Sequence, residues 1–152
     1  MTTNWLDPRS SISKHFKVVE ALYLPKWQCF HIPTDVEKQE ILAFAQKMEL
    51  IREFLKLPID IHCWLRPTAL NNPSSPHHGQ DYNALVGGAT KSAHRLGRAA
   101  DWDCGESCDV TRAKLAHLLE TYGVRMEKTP GTNWVHIDDM PVPAGGRRYF
   151  TP

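Results

Sequence analysis

The amino-acid sequence predicts an α+β fold in which a small antiparallel sheet is flanked by helices. Three stretches support this prediction: a long helical pattern at residues 34–57, an alternating pattern at 59–65 and a pattern rich in β-forming residues at 133–138. No internal repeat and no linker divides the chain. Helix and strand patterns within one undivided chain therefore indicate a single mixed domain.

Length and composition narrow the class of protein. The 152 residues suit one domain, with an irregular N-terminal part at 1–33, a core at 34–138 and a C-terminal tail at 139–152. Hydrophobic residues make up 41% and charged residues 23%, as is typical of a soluble globular protein. Because the net charge is +1 and no apolar run has membrane-spanning length, we expect neither nucleic acid nor a membrane as a partner. The sequence does not indicate an oligomeric state.

In the N-terminal part, the residue pattern at 13–22 predicts one short helix that begins at Ser13. The first four residues begin no signal peptide, so we expect synthesis in the cytoplasm without a secretion address.

The clearest predicted helix spans 34–57. Thr34 can cap its N-terminus, and Glu37 stands three residues later, as in a capping box. Apolar residues recur at helical spacing along it and predict a buried stripe, and Pro58 ends the helix.

The alternating strand at 59–65 leads directly to Arg66. This order places Arg66 at a strand end, where functional side chains are commonly displayed. Residues 71–82 are rich in Pro, Ser, His and Asn and predict an exposed loop. His77 and His78 lie in this loop, and adjacent histidines in a polar loop are usually solvated, so we interpret the loop as the rim of a groove.

The second half of the chain predicts an amphipathic helix at 109–120, ending before Gly123. Two strands follow, at 124–127 and 133–138, and can pair in antiparallel orientation across a turn.

Side chains along the last predicted strand divide between two faces. Trp134, His136 and Asp138 are two residues apart and share one face. Val135 and Ile137 point the other way, into a core. A strand with one polar and one apolar face suits the wall of a cleft.

Four cysteines occur without a secretory context, which favours reduced thiols. Cys63 falls in a predicted core strand. Cys104 and Cys108 are four residues apart but lack a second pair at zinc-finger spacing. A disulfide between these two cysteines is the alternative if the protein works outside the cell.

One set of residues combines the ligand types of a catalytic zinc site. His94, Asp101 and His136 supply two imidazole nitrogens and a carboxylate oxygen, and catalytic zinc sites use three protein ligands with a fourth position for water. Gly97 lies between the first two residues and permits a turn that brings them to one ion. We therefore predict one zinc ion per chain.

The spacing of these residues also forms a known motif. Ser92-x-His94, six residues, Asp101 and a later Trp-x-His136 resemble the pattern of the zinc D-Ala-D-Ala carboxypeptidases and L-alanyl-D-glutamate endopeptidases, which cut bacterial cell-wall peptides. Hedgehog signalling domains share that fold. The resemblance implies a hedgehog-like zinc cleft in this protein.

Upstream motifs extend the resemblance over roughly residues 59–138. Residues 66–71 and 86–89 are similar to the Tyr-Arg-Ser-Pro-x-Leu-Asn and Val-Gly-Gly-Ala runs of one phage and bacterial branch. The resemblance implies that Arg66 and Ser92 hold a substrate carboxylate or carbonyl. A guanidinium fork and a hydroxyl suit that task physically.

The residue at the position of the family's general base differs in this chain. Much of the family has Glu or Asp three residues before the last histidine, where this chain has Asn133, and an amide cannot accept a proton from water at neutral pH. Asp138, on the His136 face, is the predicted catalytic replacement. Glu127 and Asp139 are further candidates. Alternatively, Asp138 orients His136 and the enzyme is slow or inactive.

The resemblance implies a zinc metallopeptidase that hydrolyses peptidoglycan stem peptides, and a phage lysis or virion enzyme would reach the wall without a signal peptide. A catalytically silent zinc module for recognition or virion structure is the second hypothesis. Asn133 favours the silent module, whereas Arg66 and Ser92 favour the enzyme. A zinc amidohydrolase acting on a non-wall amide is a third hypothesis.

Overall fold

A computed structural model describes residues 2–152 and confirms the α+β class. The order of elements is α1 (Val18–Leu22), β1 (Tyr23–Leu24), β2 (Cys29–Phe30), α2 (Asp35–Leu55), β3 (Asp60–Cys63), α3 (Tyr82–Leu85), a 3-10 helix (Ala93–Leu96), β4 (Ala99–Asp103), α4 (Cys108–Leu115), α5 (Leu119–Tyr122), β5 (Arg125–Glu127), β6 (Val135–Asp138) and β7 (Tyr149–Phe150). None of the helices in this part of the chain is long and apolar enough to cross a membrane.

Five strands form the main sheet in the order β3-β4-β6-β5-β7. The first four strands pair in antiparallel orientation, and Asp101 on β4 stands opposite His136 on β6. A register irregularity between Ile61 and Cys63 bends β3 beside β4. The central strands β4 and β6 therefore hold Asp101 and His136 side by side, although these residues are 35 positions apart in the sequence.

Helix α2 contributes five buried side chains to the main hydrophobic core. Its capping box is present as predicted, since Thr34 Oγ1 accepts from the Glu37 backbone N–H at 3.3 Å and Glu37 Oε2 accepts from the Thr34 backbone N–H at 2.7 Å. The helix ends at Lys56, which adopts a left-handed conformation. Its fully buried side chains are Ile41, Phe44, Ala45, Met48 and Ile51.

The N-terminal helix begins later than predicted. Ser13 does not cap a helix, because its hydroxyl donates to Glu49 Oε1 at 2.6 Å and the flanking residues Ser11 and Lys17 form an isolated antiparallel bridge. Residues 1–33 also contain the hairpin of β1 and β2, which the irregular polar sequence did not predict.

Two further elements differ from the sequence prediction. The helix expected at 109–120 divides into α4 and α5, because the Leu118 N–H bonds the Leu115 carbonyl at 2.8 Å and tightens the chain into a turn. The expected tail contains β7, which pairs with β5 in parallel orientation, so the sheet is not wholly antiparallel. The four cysteines are free thiols, and Cys104 and Cys108 form no disulfide.

Candidate metal centre

Three polar side chains converge from two central strands and one short helix. Asp101 and His136 come from paired positions of β4 and β6, so both project from the same face of the sheet. His94 comes from the 3-10 helix, which Ser92 caps by accepting from the His94 backbone N–H at 3.3 Å. Gly97 ends this helix with a left-handed φ of 74°, which turns the chain back into β4.

The donor atoms of these three residues fit a tetrahedral zinc ion. His94 Nε2 lies 3.2 Å from Asp101 Oδ1 and 3.3 Å from His136 Nδ1. His136 Nδ1 lies 2.8 Å from Asp101 Oδ1. A tetrahedral ion with bonds of about 2.0–2.1 Å places its ligand atoms roughly 3.3 Å apart. The two distances from His94 Nε2 match this separation, whereas the 2.8 Å between His136 Nδ1 and Asp101 Oδ1 is that of a hydrogen bond and would lengthen around an ion. Two imidazole nitrogens and one carboxylate oxygen match the ligand chemistry of zinc.

The remaining nitrogen of each histidine has its own hydrogen-bond partner. His94 Nδ1 lies 2.6 Å from the Trp64 carbonyl, which assigns the proton to Nδ1 and leaves the Nε2 lone pair facing Asp101. His136 Nε2 lies 3.3 Å from Asp138 Oδ2, so Nδ1 is the nitrogen available to a metal. Such outer partners fix the orientation and protonation of metal-binding histidines.

Burial and charge shift the pKa values of the cluster in opposite directions. Burial lowers the pKa of His94 and outweighs the opposing effect of Asp101. For His136, burial also lowers the pKa, but hydrogen bonds to Asp101 and Asp138 dominate and raise it to about 9. Although burial raises the pKa of Asp101, both histidines together hold it well below its usual value. His136 is therefore protonated at neutral pH when no metal is bound, and a metal ion at this position would take the place of its Nδ1 proton.

The Asp138 carboxylate accepts several hydrogen bonds, whereas a general base needs a free oxygen that can take up a proton. Its two oxygens accept from Arg125 Nε at 2.7 Å and Arg125 Nη2 at 3.0 Å, and Oδ1 also accepts from the Met140 N–H at 2.9 Å. The Asp138 side chain is 2% exposed. Burial raises the pKa of this carboxyl, but His136 and Arg125 outweigh burial and lower it. This arrangement favours the orienting role of Asp138 over the catalytic role expected from the sequence.

Two depressions flank the three donor residues and share Arg66 and Asp101. The larger has a volume of about 390 Å³ and also contains Ser92, Glu127 and His136. The smaller has a volume of about 270 Å³ and a mostly apolar wall, formed by Tyr23, Leu24, Pro25, Leu65, Tyr82 and Val86. Together they form a cleft on both sides of the candidate metal centre. A still larger depression of about 580 Å³ lies beside α2, away from these residues.

Arg66 stands where the two depressions meet. Its Nη2 donates to Ser92 Oγ at 3.4 Å, and its backbone N–H donates to the His94 carbonyl at 2.9 Å. Its buried Nε has no hydrogen-bond partner within residues 2–152. A guanidinium with free donors beside a hydroxyl suits a carboxylate or carbonyl ligand.

Asn133 and Glu127 line different depressions. Asn133 lines a separate depression with Asp103 and Glu106, outside the cleft. Glu127 lines the larger depression of the cleft, and its Oε1 lies 3.9 Å from His136 Nε2. Asp139, the other candidate base, bonds Arg98 Nε at 2.7 Å and Lys47 Nζ at 2.8 Å.

Cys63 is a neighbour of the site that the sequence patterns did not indicate. It pairs with Asp101 across β3 and β4, and a ligand atom from each of Cys63, His94 and Asp101 falls within 4.8 Å of the others. Burial raises the pKa of the Cys63 thiol to about 12, so it is a neutral group at physiological pH. The alternating pattern at 59–65 predicted that Cys63 lies in a core strand. It could not show which strand would pair with that strand.

The loop at 71–82 does not bring its histidines to the cluster. His77 stacks on Trp27 with ring centroids 4.9 Å apart, and its Nδ1 lies 3.2 Å from Gln80 Oε1. His78 is exposed. Only Tyr82, at the end of this loop, lines the cleft.

A second group of possible metal ligands, formed by Asp60, His62 and Asp103, lies on the exposed ends of β3 and β4. His62 Nε2 and Asp103 Oδ2 already lie 2.7 Å apart in a hydrogen bond at the surface.

Comparison with known proteins adds one match. The sequence model of the family described as Peptidase M15 matches residues 14–138, which is most of the chain. No curated protein and no solved structure gives a significant match.

Proposed function

The chain belongs to the peptidase M15 family, whose members are zinc-dependent, and on this premise we propose that it is a zinc metallopeptidase that hydrolyses a peptide bond in peptidoglycan stem peptides. The activity is of the D-Ala-D-Ala carboxypeptidase or L-Ala-D-Glu endopeptidase type. The observation that carries the proposal is the convergence of His94 Nε2, Asp101 Oδ1 and His136 Nδ1, which lie within 3.3 Å of one another and are the ligand types of a zinc site.

His94, Asp101 and His136 hold one zinc ion in this proposal. When bound, zinc supplies Lewis-acid polarisation of a carbonyl and lowers the pKa of water. Asp138 acts on His136, because its carboxylate fixes the ring through Nε2 and is itself held by the Arg125 fork. Asp138 is therefore proposed as a positioning residue.

Arg66 and Ser92 bind the substrate. Both line the larger depression beside Asp101, and Arg66 has donors that no carboxylate within residues 2–152 neutralises. A peptide carboxylate or carbonyl at this position would bring the scissile bond next to the metal ligands. Productive orientation of this kind is a major source of rate acceleration in enzymes.

The test is direct incubation of the purified protein with muropeptides, with zinc and with a chelator, followed by mass spectrometry of the products. We expect a single new cleavage that the chelator abolishes and added zinc restores. The His94→Ala variant is the matched negative control for a contaminating peptidase. Equal product from the wild type and this variant would refute the proposal.

A silent zinc module is the second candidate, because Asn133 replaces the usual acidic residue and lies outside the cleft. It predicts zinc binding without any muropeptide product. The motifs at 66–71 and 86–89 resemble those of a branch that contains both phage and bacterial enzymes, and a lysis or virion role in a phage is part of this proposal. Release of peptide from whole bacterial cell walls tests that role.

A further inference from the structure

Three carboxylates line the larger depression of the cleft: Asp101, Glu127 and Asp138. Hydrolysis of an amide needs one group that accepts a proton from water and returns it to the leaving nitrogen. A carboxylate can do so only if its oxygens are accessible and not already committed to other donors.

Two of the three carboxylates do not meet this requirement. Asp101 Oδ1 is shared between His94 at 3.2 Å and His136 at 2.8 Å. Asp138 is 2% exposed and takes both arms of the Arg125 guanidinium. Protonating Asp138 would leave the partly buried Arg125 charge without its carboxylate partner, which is costly.

Glu127 meets the requirement. Its side chain is 23% exposed in the cleft, and its closest charged contact within residues 2–152 is His136 Nε2, at 3.9 Å. No hydrogen bond in the described chain occupies its carboxylate oxygens. Strand β5 lies beside β6, with Arg125 opposite Asp138, so Glu127 follows two residues later on the same face as Arg125 and beside His136.

The position of Glu127 relative to the donor atoms is suitable. Its carboxylate lies against the Nε2 edge of the ring whose Nδ1 faces Asp101. Glu127, Asp101 and His136 line the same depression, so a water molecule there or a change of the Glu127 rotamer would connect its carboxylate to the donor cluster. Such contacts commonly tighten only when substrate binds.

We infer that Glu127 is the general base and acid of this peptidase, and this inference rests on the function proposed above. Glu127 accepts a proton from water as the water oxygen bonds to the scissile carbonyl carbon. The carbon–nitrogen bond then breaks, and Glu127 returns the proton to the leaving amine. The net reaction is one peptide bond and one water converted into a carboxyl group and an amine. Glu127 on β5 thus carries out the proton transfer that the amide of Asn133 cannot carry out.

The experiment compares the wild type with Glu127→Gln, Glu127→Asp and Asp138→Asn. It uses Glu53→Gln as the matched control, because Glu53 lies on α2 and lines a different depression from the cleft. Zinc content and affinity, the kcat and KM for muropeptide cleavage, and calorimetric binding of the muropeptide that the wild type cleaves are measured for each protein.

We expect Glu127→Gln to keep one zinc per chain and to bind the intact muropeptide, while kcat falls about 100- to 10,000-fold with little change in KM. Glu127→Asp should retain part of the activity. Asp138→Asn should instead weaken zinc binding by about 10- to 100-fold, because the orientation of His136 is lost. Glu53→Gln should match the wild type.

Different failures have different meanings. A wild type that cleaves muropeptides, together with a Glu127→Gln variant within about threefold of its kcat, overturns this inference alone. Loss of zinc from Glu127→Gln also overturns it, because Glu127 would then support the metal centre instead. A zinc-loaded wild type that yields no product overturns the proposed function and the role of Glu127 together.

Discussion

Asp101 Oδ1 and His136 Nδ1 lie 2.8 Å apart across the ladder between β4 and β6, although 35 residues separate them in sequence. The register of these two strands therefore decides whether the donor cluster exists. Because side chains alternate between the faces of a strand, a slip of one residue would turn His136 into the apolar core. Val135 and Ile137, both fully buried, make such a slip costly and so secure the site.

Removal of either histidine should remove the metal. His94→Ala and His136→Ala each leave two ligands of three, so we expect less than one zinc per chain by elemental analysis and no rise in the thermal midpoint on adding zinc. His78→Ala is the matched control, since His78 is exposed in the loop at 71–82. Full zinc content in both variants would show that the metal centre lies elsewhere.

Arg66→Ala should impair substrate binding and leave the fold largely intact. Hydrogen bonds to charged groups contribute about 1.5–3 kcal/mol, so cleavage efficiency should fall by roughly 10- to 100-fold. Arg95→Ala is a suitable control, because Arg95 is partly buried like Arg66. It lies on the 3-10 helix and does not line the cleft. A large drop in the thermal midpoint with normal activity per folded molecule would assign Arg66 a structural role.

Gly97→Ala should destabilise the turn that connects His94 to Asp101. An added Cβ would lie 2.8 Å from Ile41 Cγ1, and the φ of 74° strains any L side chain. Gly105→Ala is the matched control, because Gly105 has the same φ but nothing within 4 Å.

For Gly105→Ala we expect a loss of about 1–2 kcal/mol from backbone strain alone. Gly97→Ala should lose a further 1–3 kcal/mol or so from the overpacked contact with α2. Denaturant unfolding at fixed zinc concentration measures both losses. Equal losses in the two variants would mean that α2 moves aside without cost and does not fix the turn.

Acid should weaken the attachment of the N-terminal segment to α2. Burial raises the pKa of Glu49, but hydrogen bonds from Ser13 and His15 outweigh burial and hold the pKa below its ordinary value. The unfolded chain then binds more protons than the folded protein in acid. This contribution to stability is therefore present above about pH 4.3 and is lost as the pH falls through the folded-state pKa.

The Glu49→Gln variant tests this contribution. At pH 7 we expect a loss of about 1–2 kcal/mol in the free energy of unfolding, because the charged hydrogen bonds are weakened. The difference from the wild type should shrink below pH 4 as the native carboxylate is protonated. Glu53→Gln is the control on the same helix. A difference that stays constant down to acid pH would attribute the effect of Glu49 to packing and not to charge.

Local patterns in the sequence determined the elements whose causes are local. Thr34 and Glu37 predicted the start of α2. The alternation around His136 predicted that Val135 and Ile137 face the core and that Trp134, His136 and Asp138 face the cleft. The motif of His94, Asp101 and His136 named the side chains that the structure brings together. The predictions of the start of α2 and of the two faces of β6 succeeded because capping and side-chain alternation depend on residues only a few positions apart.

Only the tertiary structure decided which residues surround that motif. Cys63 reaches the site through the pairing of β3 with β4, and Arg125 engages Asp138 through the pairing of β5 with β6. The same pairing places Glu127 in the cleft, and the parallel strand β7 covers the outer edge of β5. Each of these contacts joins residues from different strands, and the register of strands is set by the packing of the whole apolar face, which no local pattern in the sequence records.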